Sequence, residues 1–292
     1  MMTTVSATSA SGGSPAMAAG MSASFAPTPA RRFSALFWDT RLSGVCLVVG
    51  LLALWESSVQ FGWVQSLNWP AFSAVMTALY RNMASGELET VIGSTLWVMA
   101  RGYVLGCGLG IVVGFAIALS RPVRATVEPS VDILRTIPAT AIIPPLIFIF
   151  GLGDSLKIFS IAFAIIFPMI LNTITGVVSV DTTYLQVAST FGLSRRPILY
   201  RILFPATLPF IMAGLRISLT LALIVTVVSE MIAGSGGIGY YLTQMQFALR
   251  PADMYAAIIF LAAVAYFLNR FFVMWEARVI HWARTREASR SH

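Results

Sequence analysis

Histidine, cysteine and lysine are nearly missing from this 292-residue chain, which holds two histidines (His281, His292), two cysteines (Cys46, Cys107) and a single lysine (Lys157). Each shortage excludes something. Both histidines stand near the C-terminal end, beyond the last apolar run, so a His-dependent active site or a conventional metal centre has little to be built from. Both cysteines fall inside apolar runs, which argues against a disulfide framework or a zinc knuckle. The lysine sits in "GDSLKIF", so the phosphate-binding pattern G-x-x-x-x-G-K-[ST] does not occur, and the chain does not hydrolyse ATP through such a loop of its own. Charge is scarce as well: 11% of residues, against about 25% in a soluble domain.

What fills the chain instead is apolar. Hydrophobic residues make up 57% of it and the mean hydropathy is +0.81. Runs such as "IFSIAFAIIFPMILNTITGVV" (158–178) and "IMAGLRISLTLALIVTVVSEMIA" (211–233) are long enough to cross a hydrocarbon core of about 30 Å as helices. The pattern predicts an all-α membrane protein of about six transmembrane helices, at 43–61, 96–119, 134–151, 157–178, 211–233 and 254–275. The third carries Pro138, Pro144 and Pro145 and is expected to be kinked or short. Residues 1–35, rich in Ser, Ala, Gly and Pro, read as a disordered tail, 36–282 as the membrane domain, and 283–292 as a basic tail.

The net charge of +7 is not a nucleic-acid signature, because the charges cluster between the spans. With the N-terminus in the cytoplasm, thirteen arginines fall on the cytoplasmic side, and only Arg81, Lys157 and Arg250 fall opposite. The positive-inside rule therefore orients the chain with its N-terminus in the cytoplasm. Span two has small residues every four positions (Gly102, Gly106, Gly110, Gly114, Ala118), a groove along one helix ridge that suits close packing within the chain or a dimer seam. "GSGGIG" (234–239) matches G-x-G-x-x-G to the letter, but it follows a membrane span rather than a strand, so it reads as a tight turn and not a dinucleotide site. Asn172, Thr226, Ser229 and Glu230 are the polar candidates for a translocation pathway. Glu230 equally suits a structural role capping the "AGSGG" turn.

Between the fourth and fifth spans lies "YLQVASTFGLSRRPILYRILFPATLP" (184–209). Thr183 and Gln186 fit a capping box. Tyr184, Val187, Ala188 and Phe191 fall on one face of a short helix. Gly192 suits a left-handed helix end, and Ser194 with Pro197 a second helix start. That second helix carries Ile198, Leu199, Ile202 and Leu203 on one side and Arg195, Arg196 and Arg201 elsewhere, with Pro205 and Pro209 expected to end it. The spacing predicts a compact helix–turn–helix at about 181–209, fit for either a lipid surface or a protein partner.

This segment resembles the "EAA" loop of permease subunits in bacterial ATP-binding-cassette importers: Gln186-Val187-Ala188, then Gly192, then Ile202-Leu203-Phe204-Pro205. Gly192, Ile202 and Pro205 hold that family's spacing, while Gln186, Val187 and Phe204 depart from it. "LRTIPATAIIPPLIFIFGLGDSLKI" (134–158), "FPMILNTITGV" (167–177), "LPFIMAGLRISL" (208–219) and "SEMIAGSGGIGYYL" (229–242) are similar to the nitrate, sulfonate, taurine and bicarbonate branch. The resemblance implies a multi-pass permease of the bacterial inner membrane, with the type I importer fold and no catalysis of its own. It implies a coupling helix docked on a separate cytoplasmic ATPase that binds ATP and Mg, a periplasmic substrate-binding protein, a homodimer, and a small anionic solute such as a sulfonate, nitrate, taurine or an organic carboxylate. A self-contained secondary transporter or channel is the alternative. It would need polar groups paired within the spans, which are sparse, and it leaves the hairpin without a partner.

Overall fold

The computed structural model describes residues 41–64 and 66–280. The expected tails, 1–35 and 283–292, lie outside the described residues. The chain divides into two units, residues 1–54 and 55–292. In the first, the described part is most of helix α1 (Arg41–Gln60), whose apolar side chains from Val45 to Leu54 are largely exposed. The second holds α2 (Phe72–Ala84), α3 (Glu87–Ala118), α4 (Arg121–Leu134), α5 (Ile143–Phe150), α6 (Asp154–Val178), α7 (Thr182–Thr190), α8 (Phe204–Ala233), α9 (Ile238–Phe247) and α10 (Pro251–Val279). Among the described residues there is no strand, so "GSGGIG" has no βαβ context.

Among the described residues, four helices are long and apolar enough to cross a membrane: α3, α6, α8 together with the turns leading into it (Ile198–Ala233), and α10. The apolar part of α1, Gly44–Gln60, is shorter. The expected third span, 134–151, holds a short helical stretch, Ala139–Phe150, as its prolines predict. What the sequence did not indicate is that this stretch forms a pair with Arg121–Leu134, bent by 78°. Pro138 at the bend has no N–H to continue the ladder and disfavours helical geometry at the residue before it. Pro144 and Pro145 then sit in the first turn of α5, where the missing donors cost nothing.

The core of the bundle is the seam between α3 and α6. The small-residue ridge of α3 faces this neighbour within the chain. A Cβ on Gly102 would meet Ile161, one on Gly106 would meet Ala162 and Ile165, one on Gly110 Met169 and one on Gly114 Thr173. The constant offset along both helices means that they run parallel. In lipid the hydrophobic effect does not drive helices together, so contact at this closeness supplies the attraction. On the other flank of α6, Gly176 lies against Thr207 and Phe210, and Gly214 of α8 against Asn172 and Met169.

Pro205 and Pro209 do not end the second helix of the hairpin as expected. The chain passes from a helical turn (Arg195–Pro197) through a π-helical stretch (Ile198–Leu203) directly into α8. Pro205 offers no N–H to the carbonyl four residues earlier. The wider π register, in which the Phe204 N–H reaches the Leu199 carbonyl, lets carbonyls pair one residue further along and carries the helix past the proline.

Polar side chains tie the short helices to the bundle. The Glu56 carboxylate accepts from the Ser73 N–H at 3.0 Å and its hydroxyl at 2.9 Å, capping α2. Asp253 of α10 is held by Arg81 at 2.6 Å, Arg250 at 2.8 Å and Asn82 at 2.8 Å. Asn82 also reaches the Tyr241 hydroxyl at 3.2 Å. Burial pushes that phenol up to about 12, so it stays a neutral hydrogen-bonding group across the physiological range. Arg216 of α8 pairs with Glu276 of α10.

Candidate functional site

The segment 181–203 folds as the helix–turn–helix that its sequence predicts, with one correction. The cap of α7 is Asp181, not Thr183: its carboxylate accepts from the Thr183 N–H at 2.8 Å. The helix therefore starts earlier than the Thr183 capping box predicts, and Thr183 lies inside it. The Gln186 carbonyl accepts from the Thr190 hydroxyl at 3.0 Å and the Ser189 hydroxyl at 2.7 Å. The far end is closed by Gly192 at φ +68. Its N–H donates to the Ser189 carbonyl at 2.9 Å, and the Leu193 N–H to the Ala188 carbonyl at 3.1 Å. These two bonds are the paired closure in which a left-handed residue satisfies the last carbonyls of a helix.

The two limbs are anchored unequally. Leu203 is buried with Val177, Ile174, Phe167, Val131 and Ile117, and Leu199 packs at the edge of that cluster. The second limb, with Ile202 half-buried beside it and Pro205 in the first turn of α8, is thus an extension of the membrane bundle. On the first limb Ala188 is 3% exposed, whereas Tyr184, Val187 and Phe191, which share its expected apolar face, are 58%, 49% and 79% exposed. Three large apolar side chains standing clear on a rigid, capped helix form a surface suited to a partner. Arg196, on the second limb, is exposed as well.

The Thr183 backbone bond holds the Asp181 carboxyl below the ordinary carboxylate range. Its folded pKa is lowered, so the support it gives α7 is complete above the unfolded value and is lost as pH falls through the folded one. We expect amide exchange at Thr183 and Tyr184 to speed up as pH drops below about 4, after correction for intrinsic rates. In Asp181→Ala the faster exchange should already be present at pH 7. Identical profiles for the two proteins would remove the cap assignment.

The four pathway candidates fall in two places. Thr226, Ser229 and Glu230 are wholly buried in α8, and Asn172 is half-buried in the α6–α8 seam. Three of them bond within their own helix: Thr226 to the Ala222 carbonyl at 2.6 Å, Ser229 to the Thr226 carbonyl at 2.8 Å, and Asn172 to the Pro168 carbonyl at 2.8 Å. Glu230 reaches outward. One carboxylate oxygen accepts from the Gly239 N–H at 3.0 Å and the Thr95 hydroxyl at 3.0 Å, while the Thr95 oxygen accepts from the Ile238 N–H at 2.8 Å. The carboxylate thus closes the N-terminus of α9 and staples the glycine turn to α3, in a place where a helix dipole favours negative charge. Its other oxygen, Oε1, is buried without a hydrogen-bond partner, against Gly237. Thr95 had no signal in the sequence: it stands 135 positions from Glu230 in a run of apolar residues. Nearby, Arg101 pairs with Asp154 at 2.6 Å, and buried Lys157 with Asp154 at 3.6 Å. Among the described residues no group of His, Cys, Asp and Glu could hold a metal ion.

The family described as binding-protein-dependent transport system inner membrane component matches residues 106–281. The chain is 32% identical over 245 residues to the putative aliphatic sulfonates transport permease protein of Escherichia coli (strain K12), which covers 82% of this chain and 93% of that protein. It is 32% identical over 185 residues to the nitrate import permease protein of Synechococcus elongatus, covering 62% of this chain and 66% of that protein. Among solved structures, the MetNI methionine ABC transporter in an inward-facing conformation superposes with a TM-score of 0.59 at 19% identity, over 66% of this chain and 95% of that one.

Proposed function

We propose, for a chain that belongs to the family of binding-protein-dependent transport inner-membrane components, that the solute it passes as the permease subunit of an ABC importer is a small oxyanion such as a sulfonate or nitrate. The names of the sulfonate and nitrate relatives support that class. The observation that carries the coupling role is the unequal anchoring of the hairpin. One limb is continuous with α8, and the other presents Tyr184, Val187 and Phe191 outward. A partner that grips those side chains moves α8 directly, because caps at Asp181 and Gly192 leave the hairpin little slack. The partner is a cytoplasmic ATPase, which holds the ATP and Mg; this chain contributes contact residues and no catalysis. Gln186, Val187, Ala188, Gly192, Arg195, Arg196, Ile202 and Pro205 form the coupling loop. A periplasmic binding protein delivers the solute to the opposite face, and a second copy of the chain completes the pathway. The excess of basic residues in the segments on one side of the spans, against Arg81, Lys157 and Arg250 on the other, supports placing the N-terminus and the hairpin in the cytoplasm.

The test is purification of the tagged chain from its native host in mild detergent, with mass spectrometry of what accompanies it. An ATPase subunit in near-equal amount is the expected result. A chain that purifies alone, and that transports alone in vesicles without ATP, would establish the secondary-transporter alternative instead.

A further inference from the structure

The bend between α4 and α5 borders a cavity of about 370 Å³ that the hairpin does not explain. One wall is the non-helical stretch 135–138 and the start of the turn after it; the opposite wall includes Ala164 and Pro168 of α6 and Val225 of α8. At about 1.5 Å per residue, Ala164 and Pro168 lie about 15–21 Å along α6 from Asp154, and Val225 about 12 Å along α8 from Ala233. The cavity therefore sits near the middle of the spans. Irregular backbone at such depth persists only when buried in protein or when lining a water-filled space. Residues 135–138 are exposed within the chain and line this cavity, which fits the second condition. The facing wall has a matching irregularity: Pro168 carries no N–H, so the Ala164 carbonyl four residues earlier lacks its helical donor. None of Asn172, Thr226, Ser229 and Glu230 borders this space.

The polar side chains at the bend are Arg135, Thr136 and Thr140. The Thr136 hydroxyl is committed to the Ile133 carbonyl at 2.7 Å. Arg135 uses its Nε–H on Asp132 at 2.9 Å and is 54% exposed. That bond takes one of the five N–H donors of a guanidinium. We propose that this cavity is a resting site for the transported solute, in which Arg135 and the Thr140 hydroxyl take a small oxyanion while Asp132 keeps the hold weak. The proposal rests on the importer reading. Weakness suits the role, because a site on a conduction path must release what it binds.

The ion pair supplies a discriminating test. Breaking it from either side costs the same structural contact, but the two breaks change the charge at the cavity in opposite directions. In the assembled importer in proteoliposomes, carrying Thr140→Cys and Cys46→Ser, labelling by the anionic reagent sulfonatoethyl methanethiosulfonate is compared with labelling by its cationic trimethylammonium counterpart. Cys107 is buried and is kept. The anionic reagent should label faster, and sodium methanesulfonate should slow it. Arg135→Gln should lower the anionic-to-cationic rate ratio about tenfold, and Asp132→Asn should raise it. A cysteine inert to both reagents, an unchanged ratio, or a shift of the same sign in both variants would overturn the proposal while leaving the importer reading intact. Failure of the ATPase to assemble with the parent chain would overturn the importer reading itself, and this proposal with it.

Discussion

Gly106→Val should leave the protein unable to close its central helix seam. A Cβ at this position would stand 2.8 Å from both the Cα and the carbonyl oxygen of Ala162, as well as against the Ile165 side chain. Rotamer changes can move Ile165 aside, but Ala162 meets the new atom with backbone, so α6 itself must shift. The same helix meets α3 at Gly102, Gly110 and Gly114, so a shift at one point opens the others. Overpacking in an ordinary core costs about 1–3 kcal/mol, and a rigid backbone obstacle places this change at or beyond the upper end. Against a total stability of about 5–15 kcal/mol, we expect a sharp fall in the detergent melting temperature and in the amount of folded protein recovered. Gly108→Val is the control. It lies on the same helix, two residues away, and a Cβ there meets nothing within 4 Å. Equal melting temperatures for the two variants would show that the α3–α6 seam is not what holds the bundle.

The seam was legible in the sequence only as a period. Small residues at every fourth position announce that something approaches α3 closely, yet they do not say whether it is α6 or a second chain. The hairpin was legible in more detail because its signals are local: a capping residue, an apolar face, a glycine where the helix ends and a proline after it. Even there the choice between Asp181 and Thr183 rests on a single turn of geometry. Pro205 and Pro209 misled for a related reason. Their cost is local and readable, whereas the π-helical register that absorbs it depends on Leu203 being anchored in a cluster drawn from α3, α4 and α6. The broken third span was visible as three prolines but not as a bend of 78°, because the direction of the chain beyond Pro138 is set by what α5 packs on. The Glu230–Thr95 staple was not readable at all. A hydroxyl in an apolar helix most often bonds its own backbone, as Thr226 and Ser229 do and as Thr95 does at the Val91 carbonyl, and only the packing of α3 on the glycine turn gives Thr95 its further partners.

Gly192→Pro is expected to reduce solute uptake to background while the protein still inserts and folds. Three requirements of the turn fail together. Gly192 stands at φ +68, and proline is confined near −65°. Its N–H, which closes α7 on the Ser189 carbonyl, would be gone. Phe191 has φ −77 and ψ 5, a conformation that a following proline disfavours. The damage stays local: a side chain at 192 meets nothing within 4 Å, and the second limb keeps its own anchor at Leu203. The outcome is a membrane domain that is whole, joined to a first limb that no longer holds Tyr184, Val187 and Phe191 at a fixed angle to α8. ATP hydrolysis by the partner would then proceed without moving α8, so uptake should fall much further than abundance. A graded series separates this from general damage. Asparagine tolerates the left-handed conformation and should keep most of the uptake, while alanine pays about 1–2 kcal/mol to adopt it and should fall between asparagine and proline. Uptake measured against membrane abundance should therefore rank glycine, asparagine, alanine, proline. Normal uptake by the proline variant at normal abundance would mean that the turn does not transmit the motion, and the coupling assignment of the hairpin would fall with it.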